Sequence, residues 1–148
     1  MNSRNILLVE DNPSDVGLTR RALEKSRIAN ELIAVEDGQE ALDYLFGSDP
    51  LTGQRMNELP ALVLLDLKLP KVDGLQVLRQ IRADDRTSRL AVVILTTSSE
   101  EQDIAQSYDL GANSYIRKPV DFTQFAEAIQ NLGLYWLVLN EAAPPKKR

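Results

Sequence analysis

Residues 61–66 read Ala-Leu-Val-Leu-Leu-Asp, so five apolar residues stand directly before a carboxylate. The run is apolar without alternation, which is typical of a strand buried on both faces of a parallel sheet. Asp66 follows so closely that its charge costs free energy unless it is paired or bound to a metal. The stretch therefore predicts both a central strand and a chemical site at the end of that strand.

Further apolar runs lie on both sides of this stretch and are separated by segments of helical period. Together with residues 61–65, the predicted strands are 6–9, 32–35, 91–95 and a weaker 114–116. Pro13 is well placed near the start of the first helix, and Asp121 is a good cap for the fifth. This alternation of strand and helix predicts an α/β sandwich with right-handed crossovers.

The composition excludes several classes of function. Asp and Glu outnumber Lys and Arg by 22 to 17, and this acidic balance argues against a general nucleic-acid binder. Cys and His are both absent, so disulfides, thiolate or histidine zinc sites and a Ser-His-Asp triad are excluded, and any metal must be a hard cation held by oxygen. The N-terminal apolar run is too short for a signal peptide or a membrane span, so we expect a cytoplasmic location and no membrane partner.

The chain length of 148 residues fits one domain, which we place at residues 1–140. Residues 47–59 form a polar connection that is longer than usual for an α/β unit. Residues 141–148 end in Pro-Pro-Lys-Lys-Arg and are expected to form a disordered basic tail.

Polar side chains follow the predicted strands at the edge where ligands bind in open α/β sheets. They are Glu10 and Asp11, then Asp66, Thr96 and Lys118. Each has an ordinary structural explanation when taken alone, as a helix cap, a strand-end residue or a solvated lysine. The combination at the ends of four strands rarely arises by chance.

The set also has a coherent chemistry. Crowded carboxylates can bind a divalent cation, here expected to be Mg²⁺, and that cation lets an anionic phosphoryl group approach. Asp66 would be the nucleophile that forms an acyl phosphate. Lys118 and the hydroxyl of Thr96 would each stabilise a phosphoryl oxygen. An acyl phosphate hydrolyses readily, which suits a reversible switch.

Four segments together resemble the receiver domain of two-component response regulators, and the resemblance covers residues 4–139. The segments are Glu10-Asp11-Asn12, residues 64–70 with Asp73-Gly74, Thr96-Thr97-Ser98 and residues 115–119. The resemblance implies a flavodoxin-like receiver fold, a three-layer sandwich of five helices around a five-stranded parallel sheet in the order 2-1-3-4-5. It also implies that a partner histidine kinase phosphorylates Asp66, and that the protein is a signalling component rather than an enzyme acting on other substrates.

The resemblance further assigns individual roles. The Mg²⁺ ligands would be Glu10, Asp11, Asp66 and the backbone carbonyl of Lys68. Lys118 would contact the phosphoryl group, and the peptide bond before Pro119 would be cis.

The output of the switch is assigned in the same way. Thr96 would move towards the phosphoryl oxygens and Tyr115 would change rotamer. Together they would shift the face formed by the fourth helix, the fifth strand and the fifth helix.

The long loop at 47–59, the Leu-Pro-Lys-Val-Asp-Gly run and the aromatic-rich C-terminus resemble a narrower group. That group comprises stand-alone response regulators that pair with bacterial phytochromes. Because no effector domain follows the receiver, we expect output through another protein or through self-association. The downstream target is not named by the sequence.

The C-terminal residues 132–139 are apolar nearly all round a helix, so they need cover on more than one side. We expect Leu132, Tyr135, Trp136 and Leu139 to contribute to a homodimer interface. The alternative is that this segment folds back over the long loop.

Other functions fit less well. A haloacid-dehalogenase-type phosphohydrolase needs a second acid where this chain has Lys68, and the acidic residues after the first strand would repel the phosphate of a flavin. No glycine-rich ATP-binding spacing is present. A phosphorylation-independent pseudo-receiver that acts as a dimeric interaction module is the remaining alternative, and its usual sign, loss of Asp66, the acid pair or Lys118, is missing.

Overall fold

A computed structural model describes residues 5–25, 31–48, 50–53, 57–98, 100–118, 123–124, 127, 131 and 144. Strands and helices alternate along these residues. The strands are β1 (Ile6–Val9), β2 (Leu32–Val35), β3 (Leu62–Leu65), β4 (Val92–Thr96) and β5 (Ser114–Arg117). The helices are α1 (Pro13–Lys25), α2 (Gly38–Phe46), α3 (Gly74–Ala83) and α4 (Glu101–Asp109).

The strands form one parallel sheet in the order β2-β1-β3-β4-β5, which confirms the predicted fold. β1 lies between β2 and β3, with Leu7 opposite both Ile33 and Val63. The observed strand bounds lie within one residue of the predicted ones. Thr96, expected just after the fourth strand, is instead the last residue of β4.

Four helices are present in the described part of the chain, one fewer than predicted. Most of the expected fifth helix lies outside the described residues, although Thr123, Gln124, Glu127 and Asn131 are helical. The predicted cis bond before Pro119 also lies outside them, as do all of the predicted dimer residues, Leu132, Tyr135, Trp136 and Leu139. No helix formed by the described residues has the length and apolar character needed to cross a membrane.

The core lies on both faces of the sheet. β1, β3 and β4 are buried along their whole length, as expected of apolar runs that do not alternate. Leu45 of α2 and Leu78 of α3 pack in the cluster on one face, and Leu23 of α1 packs in the cluster on the other. This arrangement leaves the carboxyl ends of the strands as the edge where polar side chains can gather.

The loop after β3 is docked closely against the start of α2. A Cβ atom on Gly38 would lie 1.8 Å from the carbonyl oxygen of Val72, so the close approach requires glycine. The carboxylate of Asp37 caps α2 and also lies 3.5 Å from the ammonium of Lys71. These contacts hold the loop that follows Asp66 in place.

Arg82 joins the end of α3 to the two loops that precede β4 and β5. Its guanidinium donates to the carbonyl oxygens of Gly111 at 2.9 Å, Leu90 at 2.7 Å and Ser88 at 3.1 Å, and to the side chain of Asn113 at 2.9 Å. Burial lowers the pKa of Arg82, and these oxygen acceptors replace the water that burial removes.

Candidate functional site

The ammonium of Lys118, which follows β5 directly, is the centre of the polar cluster. Its Nζ atom lies 2.8 Å from Oδ2 of Asp15 and 3.1 Å from Oδ2 of Asp66, and it also contacts Oε1 of Glu10. The Lys118 side chain is only 6% exposed. A cation so well buried is stable only because carboxylates surround it.

The sheet itself positions these side chains, because its backbone hydrogen bonds continue one residue beyond β1, β3 and β5. The N–H of Glu10 donates to the carbonyl of Val35, and the N–H of Asp66 donates to that of Val9. The N–H of Lys118 likewise donates to the carbonyl of Thr96 at 2.7 Å. The residues predicted at the strand ends are therefore anchored at one edge.

Three acids form a group that could hold a metal ion. Each of Glu10, Asp11 and Asp66 offers a carboxylate oxygen, and these oxygens lie within 4.8 Å of one another. Glu10 and Asp66 are buried, whereas Asp11 is exposed to solvent. All-oxygen donors of this kind suit Mg²⁺ or another hard divalent cation.

Lys68 was predicted to add its backbone carbonyl as a ligand, and that role stays a prediction. The structure shows that its N–H donates to Oδ1 of Asp66 at 3.3 Å. Its exposed ammonium lies 3.8 Å from Asp103 of α4.

The pKa of Glu10 is raised to about 7, mainly by burial and also by the negative charge of Asp66, and the hydrogen bond and charge of Lys118 offset only part of this rise. Near neutral pH this carboxyl is therefore poised between its two protonation states. A divalent cation would favour the ionised form, so the acidic group fits a metal ligand set.

The pKa of Lys118 shifts in the opposite sense to that of an isolated buried lysine. Burial alone would lower the pKa, but hydrogen bonds to Asp15 and Glu10 and the charge of Asp66 outweigh burial and raise it above its usual value. The side chain is therefore an ammonium ion throughout the physiological pH range, as a phosphoryl-binding role requires.

The predicted switch residues meet at the loop after β4. Thr96 is fully buried, and its hydroxyl oxygen accepts a hydrogen bond from the N–H of Ser98 at 3.4 Å. The hydroxyl of Tyr115 donates to the carbonyl of Ser98 at 2.9 Å, and the hydroxyl of Ser98 donates to Asp103 at 2.6 Å. A single loop residue thus connects Thr96, Tyr115 and the first turn of α4.

A cleft of about 380 Å³ opens beside the acids, between the loop after β3 and α4. Its lining includes Asp11, Lys68 and Asp103 together with the apolar side chains of Leu67 and Leu75. Because Asp11 is one of the lining residues, the cleft borders the acid group on its solvent-exposed side.

Asp15 is the site residue that the sequence analysis missed. It lies in the first turn of α1, where an acid is ordinarily explained by the helix dipole. The cap of α1 is Asn12, whose side-chain oxygen accepts from the N–H groups of Ser14 and Asp15. The prediction considered only residues that follow strands, and Asp15 lies instead in the first turn of α1, which begins at the same edge of the sheet.

Comparison with known proteins agrees with this geometry. Residues 6–130 match the response regulator receiver domain. The chain is 39% identical to response regulator Rcp1 of Synechocystis over 89% of this chain and 88% of Rcp1. The Mn²⁺-bound structure of Rcp1 superposes with a TM-score of 0.86 at 36% identity, covering 95% of this chain and 99% of that one.

Two solved phytochrome regulators are also similar. The bacteriophytochrome response regulator AtBRR is 53% identical, with a TM-score of 0.72, and the match covers 95% of this chain and all of AtBRR (100%). The phosphorylated cyanobacterial phytochrome response regulator RcpA is 39% identical, with a TM-score of 0.84 and coverage of 95% and 98%. With the parallel sheet, the acid group and the buried lysine already in place, the matched residues show that this chain belongs to the response regulator receiver domain family.

Proposed function

We propose that this protein accepts a phosphoryl group on Asp66 from a phosphohistidine of a partner kinase, in a reaction that needs Mg²⁺. The observation that carries the proposal is the position of Asp66, whose Oδ2 contacts the Lys118 ammonium while its carboxylate shares a metal-sized group with Glu10 and Asp11. This arrangement supports the proposal because it brings together a carboxylate that could act as nucleophile, an ammonium ion and three acids that could bind a metal.

In the proposed transfer, a carboxylate oxygen of Asp66 attacks phosphorus, the phosphorus–nitrogen bond of the donor breaks, and the histidine of the donor leaves with the bonding electrons. The product is an acyl phosphate. Lys118 neutralises one phosphoryl oxygen, and the hydroxyl of Thr96 donates to another. Glu10, Asp11, Asp66 and the Lys68 carbonyl would hold Mg²⁺, which supplies positive charge next to the transferred group.

The same contacts give the signal its route out of the site. In this proposal, the hydroxyl of Thr96 turns from the N–H of Ser98 to the phosphoryl oxygen. The carbonyl of Ser98 then shifts relative to Tyr115, which donates to it at 2.9 Å in the present state. The face that includes α4 and β5 therefore changes with phosphorylation.

The direct test is intact-mass spectrometry after incubation with acetyl phosphate and Mg²⁺. Wild type is expected to gain a single phosphoryl adduct, and Asp66→Asn or omission of Mg²⁺ is expected to abolish it. Asp73→Asn is the matched control, because Asp73 caps α3 nearby without contacting the Lys118 ammonium in the described structure. Absence of an adduct under conditions that label another receiver would contradict the proposal and favour a phosphorylation-independent interaction module.

For the kinase, we propose a bacterial phytochrome. The support is the 53% identity to a protein described as a bacteriophytochrome response regulator. The measurement is the rate of transfer from an autophosphorylated phytochrome kinase, compared with the rate from a histidine kinase of another sensory class. Equal or slower transfer from the phytochrome kinase would contradict this pairing.

We also propose that the protein forms a homodimer through residues 132–139, since this segment is apolar on several sides. Multi-angle light scattering is expected to give the dimer mass for wild type and the monomer mass for Trp136→Glu. A monomer at high concentration, with and without phosphorylation, would contradict the proposal.

A further inference from the structure

The Lys118 ammonium has no donor left for a phosphoryl group in the present structure. A lysine ammonium carries three N–H bonds, and here they meet three carboxylates, those of Glu10, Asp15 and Asp66. A phosphoryl oxygen that is to be neutralised by Lys118 must therefore displace one of these acceptors.

The three acceptors differ in what else they do. Glu10 and Asp66 belong to the acid group that could hold a metal, and both are almost inaccessible to solvent. The carboxylate of Asp15 lies outside that group, and its side chain is 24% exposed. Asp15 is thus the acceptor that can turn to water at the lowest cost when it leaves the ammonium.

From this we infer that Asp15 is a positioning residue. In the resting state its carboxylate accepts a hydrogen bond from the Lys118 ammonium, and it releases this N–H bond when a phosphoryl oxygen arrives to accept it. This inference rests on the proposed function of Asp66. Asp15 holds the Lys118 ammonium at the site before the reaction. Its carboxylate oxygen also competes with the phosphoryl oxygen of the phosphodonor for the same N–H bond. Asp15 therefore sets how readily a phosphodonor engages the site.

Because Glu10 and Asp66 remain next to Lys118, replacing Asp15 is expected to accelerate the labelling of Asp66. With Asp15 replaced, Glu10 and Asp66 still hold the ammonium in place, and one donor becomes available. The substitution also removes the negative charge of Asp15, which repels the anionic phosphodonor. Removing a partly exposed, charge-assisted contact of this kind is expected to increase the labelling rate of Asp66 by a factor of about five.

The experiment measures the labelling rate of Asp66 by intact mass at several acetyl phosphate concentrations and saturating Mg²⁺. The slope of rate against concentration is expected to rise about fivefold in Asp15→Asn. Asp15→Glu, which restores an anionic acceptor, is expected to return the slope towards wild type. Asp15→Ser also removes the carboxylate and leaves the cap formed by Asn12 in place, so it is expected to give the acceleration even if the asparagine variant folds poorly.

Glu36→Gln is the matched control for charge. Glu36 follows β2 at the same edge of the sheet and is exposed, and within the described residues its carboxylate forms no ion pair. Its slope is expected to stay within about twofold of wild type, as for a screened surface charge.

Two results would overturn the inference: an unchanged or smaller slope in both Asp15→Asn and Asp15→Ser, or equal acceleration in Glu36→Gln. Failure of wild type to be labelled would instead count against the proposed function, so the two failures are distinguishable.

Discussion

Glu10 shows how much of the site chemistry depends on a single side chain. Its carboxyl is buried next to Asp66, and this raises the pKa of Glu10 to about 7 even though Lys118 is in contact with it. If Glu10 is a metal ligand as proposed, a metal ion near neutral pH would therefore have to compete with a proton for this carboxyl group.

This competition predicts a pH dependence of Mg²⁺ binding. Protonated Glu10 cannot act as an anionic ligand, so the apparent affinity falls as the pH drops below about 7. One competing proton weakens the affinity by about tenfold between pH 8 and pH 6. Isothermal titration calorimetry at several pH values, with Glu10→Gln as the control that lacks this proton, measures the effect. A flat profile in wild type would contradict the role of Glu10.

The raised pKa of Glu10 also makes the free energy of unfolding of the metal-free protein depend on pH. Because the pKa of Glu10 is higher in the folded than in the unfolded chain, the folded state binds more protons between the two values. The contribution of Glu10 to stability is therefore fully present at low pH and is lost as the pH rises through about 7.

At the scale of the elements, two helical glycines offer a matched comparison. Gly17 in α1 is exposed and has no atom within 4 Å of an added Cβ, so Gly17→Ala is expected to stabilise the fold by about 0.5–1 kcal/mol through helix propensity. In Gly38→Ala the new Cβ would overlap the Val72 carbonyl, which costs about 3 kcal/mol or more. Urea unfolding of both variants checks the opposite signs. Similar stabilities would contradict the tight docking of α2 on the loop after β3.

The end of α3 gives a second prediction at this scale. Arg82→Met removes the charged donors that connect this helix to Gly111, Leu90 and Asn113, and leaves the oxygen acceptors of these residues without that partner. We expect a loss of about 2–3 kcal/mol in the free energy of unfolding. Arg79→Met is the control, since Arg79 is exposed on the same helix and, among the described residues, its side chain forms a hydrogen bond only with Gln76. A loss of equal size in the control would contradict the special role of Arg82.

At the scale of the whole molecule, Mg²⁺ is expected to stabilise the fold against heat. A ligand at a hundredfold excess over its Kd adds about 2.7 kcal/mol, which corresponds to a rise in Tm of roughly 5 to 10 °C for a chain of this size. Differential scanning calorimetry with Mg²⁺, against NaCl at equal ionic strength, measures this rise. Asp11→Asn is expected to reduce it, and an equal rise with NaCl alone would contradict specific binding.

Much of the whole architecture was accessible from the sequence, for a physical reason. Strands buried on both faces must be apolar without interruption, so the runs that became β1, β3 and β4 were visible directly. The order of the strands came from the family resemblance, because apolar runs do not encode which strand lies beside which. The polar residues at strand ends were visible because parallel strands end at one edge.

The contacts that escaped prediction are of a different kind. Asp15 reaches Lys118 from a helical turn, and its position carries the ordinary signature of a helix start. Arg82 binds mainly backbone carbonyls, which every residue has and no side-chain pattern reveals. Such contacts depend on how finished elements dock, so they become visible only in three dimensions.

The ammonium of Lys118 joins parts of the chain that are 52, 103 and 108 residues apart in sequence. No local segment can reproduce this junction, so the site forms only in molecules in which α1 and the ends of β1, β3 and β5 have come together. If Asp66 is phosphorylated as we propose, the phosphoryl adduct would count the molecules in which these elements are assembled. In a partly denatured sample, the fraction of molecules that become labelled in a short pulse reads out the folded fraction, without any optical probe.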